Sequence, residues 1–315
     1  MNLYDQQRRN LANTRFFIAA FILLLVLLGL GADGVLYGAG ASPGIPIATL
    51  GALCVGGFSA WWSLHGGDQA VLESANAAPL DLADPKQRVF ENVVEEMAIA
   101  GGLPKPAIYV IPDPDLNAFA TGSGPEKASI AVTRGLLEKL NREELQGVVS
   151  HEMSHVKNYD VRLMTVVAAL AGAILLLADW SRRGLGWGGR RRDAGGRGGG
   201  LGLLFVALWI VSIILAPIIA QIVSLAVSRQ REYLADASGA ELTRNPLALA
   251  SALEKIEAAV EPTLAIKQGI AHLCIADPRG RALNDKEGFF ADLFSTHPPI
   301  AKRIAILREM AYQKA

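Results

Sequence analysis

Val148-Val149-Ser150-His151-Glu152-Met153-Ser154-His155-Val156-Lys157-Asn158-Tyr159-Asp160 is the run that decides how this chain is read. Two histidines four apart share one helix face, so both imidazoles can approach a single ion at about 2.0–2.1 Å. Glu152 follows the first of them directly, where its carboxylate lies beside the ion without having to bind it. That is the place for a general base acting on water. The helix is signalled upstream. Asn141-Arg142-Glu143-Glu144 reads as an N-cap with Glu at the third helical position, and Leu145, Val148 and Val149 form an apolar face behind the histidines. An H-E-x-x-H pentapeptide also arises by chance on surface helices, and the surrounding chain weighs against that reading.

The chain has 315 residues and 51% hydrophobic content, too apolar for an ordinary soluble two-domain protein, so membrane segments are expected. Thirty basic and thirty acidic side chains balance, leaving no footprint of a nucleic-acid partner. Cys54 and Cys274 are far apart, and no C-x-x-C occurs; no disulfide and no thiolate metal site are expected.

Met1 to Arg15 is polar and carries Arg8, Arg9 and Arg15; Phe16 to Ala32 is an uninterrupted apolar run. The run is long and lacks a convincing small-x-small cleavage site, which favours a retained anchor over a signal peptide. A second run, Ile45 to Leu64, ends in Trp61 and Trp62, residues suited to a membrane interface. The loop Asp33 to Pro43 has no Lys or Arg, so the positive-inside rule puts the N-terminus and everything after His65 in the cytosol.

Gly66 to Ala83 reads as a polar linker. Asp84 to Ile99 has helical spacing in Val89, Phe90, Val93, Val94 and Met97, ended by Gly101-Gly102. Ala107 to Ile111, Asn117 to Thr121 and Ser129 to Thr133 are β-prone pieces separated by Pro/Asp- and Gly-rich turns, and predict a small sheet beside the metal helix. If Asn117, Ala118 and Phe119 lie on its edge, their free backbone groups can pair with an extended substrate; a plain structural strand carries equal weight.

Beyond the metal helix, Leu163 to Ala178 and Leu201 to Val227 are apolar, and the second is long enough to span a bilayer, with Pro217 and Gln221 inside it. Between them Trp180 to Gly200 is rich in Gly and Arg. If both runs span, that loop lies outside, against the positive-inside rule; otherwise the hairpin does not fully cross. The second run leads into Ser228-Arg229-Gln230-Arg231-Glu232-Tyr233-Leu234-Ala235-Asp236-Ala237. A zinc site with two His needs one more protein ligand. No further His follows the motif at the extended spacing, His65 ends the second apolar run and reads as interfacial, and His272 reads as half-buried and structural. Glu232 is the choice for third ligand. Asp236, on the same helix face, is the carboxylate that orients a ligand histidine. An exposed helix with Glu232 paired to Arg229 or Arg231 is the plainer alternative.

With these motifs in place the chain resembles the HtpX-type membrane zinc endopeptidases and, more distantly, the CAAX prenyl proteases of the same clan. The likeness rests on the two N-terminal apolar segments, Asn117-Ala118-Phe119-Ala120-Thr121-Gly122, the His151 to His155 motif, the Ser228 to Asp236 block and Phe294-Ser295-Thr296-His297-Pro298-Pro299. It implies one Zn2+ per chain held by His151, His155 and Glu232, with Glu152 as base and proton shuttle. It implies a cytosolic catalytic domain on a bacterial inner membrane, crossed several times, and a stress-response role in clearing misfolded or damaged membrane proteins. His297, in a segment that comes near the active site in that family, is then a candidate donor to the oxyanion or to an acid beside it. The Gly/Arg-rich insert departs from the family's usual composition.

The fold class expected is therefore mainly α with a small β-sheet: membrane-embedded helices plus a zincin-like catalytic domain. Residues 1–65 form the tail and two membrane helices, 66–160 the first part of the protease domain, 161–227 a hydrophobic hairpin around the 180–200 loop, and 228–315 the second part. The partners expected are the lipid bilayer and membrane-protein or unfolded polypeptides, with no nucleic acid. Self-cleavage is open to it, at the Arg-rich loop only if that loop faces the cytosol. A prenyl-protein peptidase would need a hydrophobic chamber that four apolar segments do not enclose. A transporter would need ionisable residues that Phe16 to Ala32 and Ile45 to Leu64 lack. A silent scaffold with a structural zinc would have no need of Glu152.

Overall fold

The helix Arg142–Lys157 starts on a reciprocal cap: Asn141 Oδ1 accepts from the Glu144 amide at 2.9 Å and Glu144 Oε2 accepts from the Asn141 amide at 2.8 Å. The other elements are arranged around it. The computed structural model describes residues 3–38, 45–170, 229–259, 263, 265–266, 268–278 and 298–312. In chain order they form α1 (Leu3–Gly38), α2 (Ile47–His65), α3 (Gly67–Ser74), β1 (Ala78–Pro79), α4 (Pro85–Gly101), β2 (Ala107–Ile111), β3 (Ala118–Gly124), β4 (Lys127–Thr133), α5 (Arg134–Lys139) and α6 (Arg142–Lys157). After these come α7 over 160–170, α8 (Arg229–Thr243), α9 (Pro246–Ala258), a 3-10 turn (Gln268–Leu273) and α10 (Ile300–Tyr312).

Two helices among the described residues, Gln7–Gly31 within α1 and Ile47–His65, are long and apolar enough to cross a membrane. Leu23, Leu27, Leu30, Phe58, Trp61 and Trp62 all point outward from them, which only an apolar surrounding accommodates at low cost. The two helices are tied at their far end by Asp33, whose carboxylate accepts from the amides of Ala48 and Thr49 and from Thr49 Oγ1, capping the start of α2. α1 is longer than the apolar run predicts. The expected polar tail is helical from Leu3, and the expected loop after Asp33 is helical to Gly38; neither stretch holds a proline before Pro43.

The sheet has the order β1-β2-β4-β3, with β2 parallel to β4 and β3 antiparallel to it on the edge. β2 spans the same residues as the first of the predicted β-prone pieces. β3 runs on through the Gly-rich stretch expected as a turn, since Gly122 pairs with Ala128 and Gly124 with Lys127, leaving Pro125-Glu126 as the reversal. The predicted linker 66–83 contains α3 and β1, short elements held by neighbours rather than by their own sequence.

One face of the sheet and α4 bury Phe90, Val93, Val94, Ile130, Val132 and Leu136 against Val148 and Val149 of α6, Leu249 and Leu253 of α9 and Leu307 of α10. The other face buries Ile111, Phe119 and Ala131 under Leu72 of α3, Met164 of α7 and the 3-10 turn. α7 runs along α1, with Leu163 and Val167 against Phe17, and Val166 and Leu170 against Phe21 and Leu25. The turn at Asn158 and Tyr159 alone thus separates α6 from the helix packed on α1. Of the predicted third and fourth apolar runs, only the start of the third, within 160–170, belongs to the described residues; the Gly/Arg-rich loop and Leu201 to Val227 lie outside them.

Two tests address this packing. A Cβ on Gly147 would come within 2.8 Å of the Leu249 backbone, so Gly147→Ala is expected to push α9 off α6 and cost about 1–3 kcal/mol, seen as a lower thermal midpoint. Glu144 is buried, which by itself raises its pKa, but Lys255 Nζ at 2.7 Å, the Asn141 amide and Ser251 Oγ at 2.7 Å hold it below the ordinary value. Its folded pKa being lower than its unfolded one, its stabilisation is present above the unfolded value and disappears as pH falls through the folded one. Glu144→Gln is therefore expected to cost about 1–2 kcal/mol at pH 7, and the difference from wild type should narrow towards pH 4 in pH-resolved unfolding.

Candidate metal centre

Consecutive turns of α6 bring His151 and His155 together, their rings nearly perpendicular at 88° and their Nε2 atoms 3.2 Å apart. Glu232, in the first turn of α8, closes the triangle, with Oε1 3.5 Å from His155 Nε2 and Oε2 3.8 Å from His151 Nε2. One donor atom from each of the three lies within 4.8 Å of the others, and all three side chains are buried. α8 comes this close because of Gly239: a Cβ there would sit 3.0 Å from the His151 backbone nitrogen.

Each imidazole is oriented from behind by a carboxylate. His151 Nδ1 is 2.9 Å from Asp236 Oδ1, and His155 Nδ1 is 3.1 Å from Asp160 Oδ2. With each Nδ1–H donated outward, both Nε2 lone pairs face inward at 3.2 Å, an arrangement that repels unless a cation or a proton stands between them. Two imidazole nitrogens and one carboxylate oxygen, converging on buried side chains, fit a borderline divalent ion such as zinc.

The electrostatics follow from burial and close charges. Desolvation pushes Glu152 up to about 7, partly opposed by His155 and reinforced by Glu232; the Ala120 backbone on β3 pulls it slightly down. Neither Glu152 oxygen has a hydrogen-bonding partner at bonding geometry among the described residues. Burial also disfavours charge on His155, but Asp160 and Glu232 outweigh it and lift His155 to about 9. For His151 burial prevails and its pKa falls. Asp236 is likewise desolvated, yet the Arg303 guanidinium brings it down to about 2. Arg303 is wholly buried: Nε and Nη2 donate to the two Asp236 oxygens at 2.8 and 2.7 Å, and Nη1 donates to Ile275 O at 2.9 Å and lies 3.6 Å from Glu232 Oε2.

His151, His155 and Glu232 thus meet in one place, with Glu152 beside the triangle and Asp236 behind His151. β3 is the edge strand, but Asn117, Ala118 and Phe119 are not the open edge expected of them. Asn117 Nδ2 donates to Thr263 Oγ1 and Ala276 O, Ala118 O accepts from Ile275 N at 2.9 Å, and Phe119 bridges to Cys274. A buried edge left unpaired would be costly, and the chain covers it with its own residues. His297 lies outside the described residues. His65 is exposed and stacks on Trp61, and His272 is fully buried with Nε2 3.2 Å from Met164 O, more enclosed than its half-buried reading. Asp160 and Arg303 were not singled out. Asp160 follows His155 by five residues and carries the only nearby signal; nothing in the spacing of Arg303 points to Asp236.

Comparison with known proteins adds to this geometry. The family model "Peptidase family M48" matches residues 84–311. A "Protease HtpX homolog" of Caldanaerobacter subterraneus subsp. tengcongensis is 43% identical over 98% of this chain and 98% of its own, and one of Streptococcus uberis is 42% identical over 98% of this chain and 100% of its own. Among solved structures, "Crystal Structure of S. mikatae Ste24p" aligns with a TM-score of 0.48 at 18% identity, covering 97% of this chain and 66% of that one.

Removing Arg303 would leave Asp236 and Glu232 as buried carboxylates without their main counter-charge. Arg303→Met is expected to destabilise the protein by about 3–5 kcal/mol, since breaking one partner of a buried pair strands the other. Adding Asp236→Asn should recover part of that loss, measured by chemical unfolding in detergent.

Proposed function

The chain belongs to peptidase family M48 and is a metallopeptidase, and from that premise we propose that it is a membrane-anchored endopeptidase holding one zinc ion per chain on His151, His155 and Glu232. The observation that carries this reading is the convergence of two inward-facing Nε2 atoms and a Glu232 oxygen beside the buried Glu152 carboxylate. When bound, zinc supplies Lewis acidity, polarising a carbonyl and making water acidic enough to be deprotonated near neutral pH.

The chain's own residues do the rest. Glu152 takes a proton from the attacking water on a carboxylate oxygen and returns it to the departing amine, and burial, which raises its pKa, makes it a stronger base for the first of the two exchanges. Asp236 and Asp160 keep the His151 and His155 rings in the tautomer that leaves Nε2 free. Arg303 offsets the negative charge collected behind the site. An extended substrate adds beside β3, the role expected of Asn117, Ala118 and Phe119; Ala120 on the same strand faces Glu152, and pairing further back requires the 274–276 segment to give way. His297 is proposed as a donor to the oxyanion or to an acid beside it, so His297→Ala is expected to lower turnover while the metal stays bound.

α1 and α2 cross the bilayer in this reading, with further crossings in 161–227. Residues 66–160 and 228–315 then form one catalytic unit on the side where the chain begins. Support for that side comes from α1, whose Gln7 donates to Lys157 O, ahead of the apolar stretch. Arg8, Arg9 and Arg15 put that side in the cytosol of a bacterial inner membrane. Substrates are loops and ends of damaged membrane proteins and unfolded polypeptides, including other copies of this chain.

The test is zinc content and casein cleavage of detergent-purified protein, wild type beside Glu152→Gln and His155→Ala. One zinc in wild type and in Glu152→Gln, with cleavage reduced about 10²–10⁴-fold in the latter, is the expected result; His155→Ala should lose the metal. Full activity in Glu152→Gln would overturn the assignment of the base.

A further inference from the structure

Asn10 sits on α1 before the apolar stretch and is 2% exposed, an unusual position for a polar side chain at the base of an anchor. Its amide Nδ2 donates to two acceptors, Asn158 O at 2.8 Å and Asp160 Oδ1 at 2.6 Å. Asp160, itself wholly buried, turns its other oxygen, Oδ2, to His155 Nδ1. Three further contacts frame the pair: Thr14 Oγ1 donates to Asn10 O, Gln7 Nε2 donates to Lys157 O, and Arg231 Nη1 stands 3.9 Å from Asp160 Oδ1.

We propose that Asn10 is a positioning residue of the metal centre, acting through Asp160 on His155, so that the anchor helix completes the site as well as tethering it. The proposal rests on the zinc reading above. A carboxylate is planar, so a short bond that fixes one oxygen sets where the other points. Holding Asp160 Oδ1 from α1 aims Oδ2 at the imidazole and fixes the ring that presents Nε2. The Asn10 amide is neutral, so it does this without bringing another charge into the buried cluster. Because the donor belongs to α1 and the acceptor to the start of α7, the bond forms only when the two helices are seated along Phe17, Leu163 and Val167. Affinity for zinc is thereby coupled to how the anchor docks.

A double-mutant cycle in full-length, detergent-purified protein tests this, reading zinc affinity by competition with a chromophoric chelator and ligand geometry by the visible spectrum of the cobalt-substituted form. Asn10→Leu, with the same branched heavy-atom shape but without a donor, is expected to weaken zinc binding about ten- to a hundredfold and to alter the cobalt spectrum. Asp160→Asn should weaken it at least as much, and Asn10→Leu should add little in the Asp160→Asn background. Gln7→Ala, which removes a docking bond of α1 that does not reach Asp160, should weaken zinc binding less than Asn10→Leu and leave the cobalt spectrum unchanged. Wild-type affinity in Asn10→Leu would overturn the proposal, and so would an equal loss in both backgrounds, the mark of a general folding defect. Asn10→Ser enters the same cycle with its smaller donor and a milder loss expected, so the comparison stands if the leucine variant does not fold. Failure of the wild type to bind zinc, or binding unaffected by His155→Ala, would instead sink the zinc reading itself.

Discussion

Buried carboxylates set the terms for everything near the centre of this protein. Glu152, Asp160, Glu232 and Asp236 are all almost wholly out of solvent, and an apolar core does not hold that much negative charge unless cations and donors meet it. Arg303 and the two histidines supply the positive partners, and Asn10 and the Nδ1–H groups supply directed hydrogen bonds. Glu152 alone has no partner at bonding geometry among the described residues, and its pKa has moved accordingly. A buried acid at the edge of a donor cluster is expensive to maintain, which is the pattern of a group kept for chemistry rather than for stability.

The scaffold serves that arrangement by bringing distant parts of the chain onto one helix. α6 receives the sheet and α4 on one flank, α8 and α9 on others, and continues through Asn158 and Tyr159 into α7. Tyr159 has φ near +59°, a backbone setting that ordinary side chains seldom adopt, and it reverses the chain so that Asp160 returns to His155. The reversal also turns α7 alongside α1. α6, the turn at Tyr159, α7 and α1 are therefore joined in one continuous run.

Local signals made much of this legible. The cap at Asn141, the i, i+4 histidines, the β-prone run Ala107 to Ile111 and the shared face of Glu232 and Asp236 are short-range patterns, and the structure has each of those elements or juxtapositions. What could not be read depends on contacts between residues far apart in sequence. Asn10 meets Asp160 across 150 positions and Arg303 meets Asp236 across 67, and no spacing rule reaches that far. The helical extensions of α1 and the short α3 and β1 were missed for a related reason: their composition is polar and unremarkable, and neighbours decide their conformation. The edge at Asn117 to Phe119 was legible as a strand, whereas its cover, residues 274–276, comes from a segment with no strand signal of its own.

The division of the donor cluster between α6 and α8 has a temporal side. Synthesis runs from the N-terminus, so the histidines, Glu152, Asp160 and Asn10 all leave the ribosome before Glu232 and Asp236, and Arg303 comes last of all. A nascent chain thus holds the imidazole pair while the Glu232 carboxylate and the Arg303 guanidinium are still unmade. The apolar stretch that separates the two halves must be accommodated first. The order of translation therefore delays assembly of the centre until Arg303 and the hydrophobic segments before it have left the ribosome.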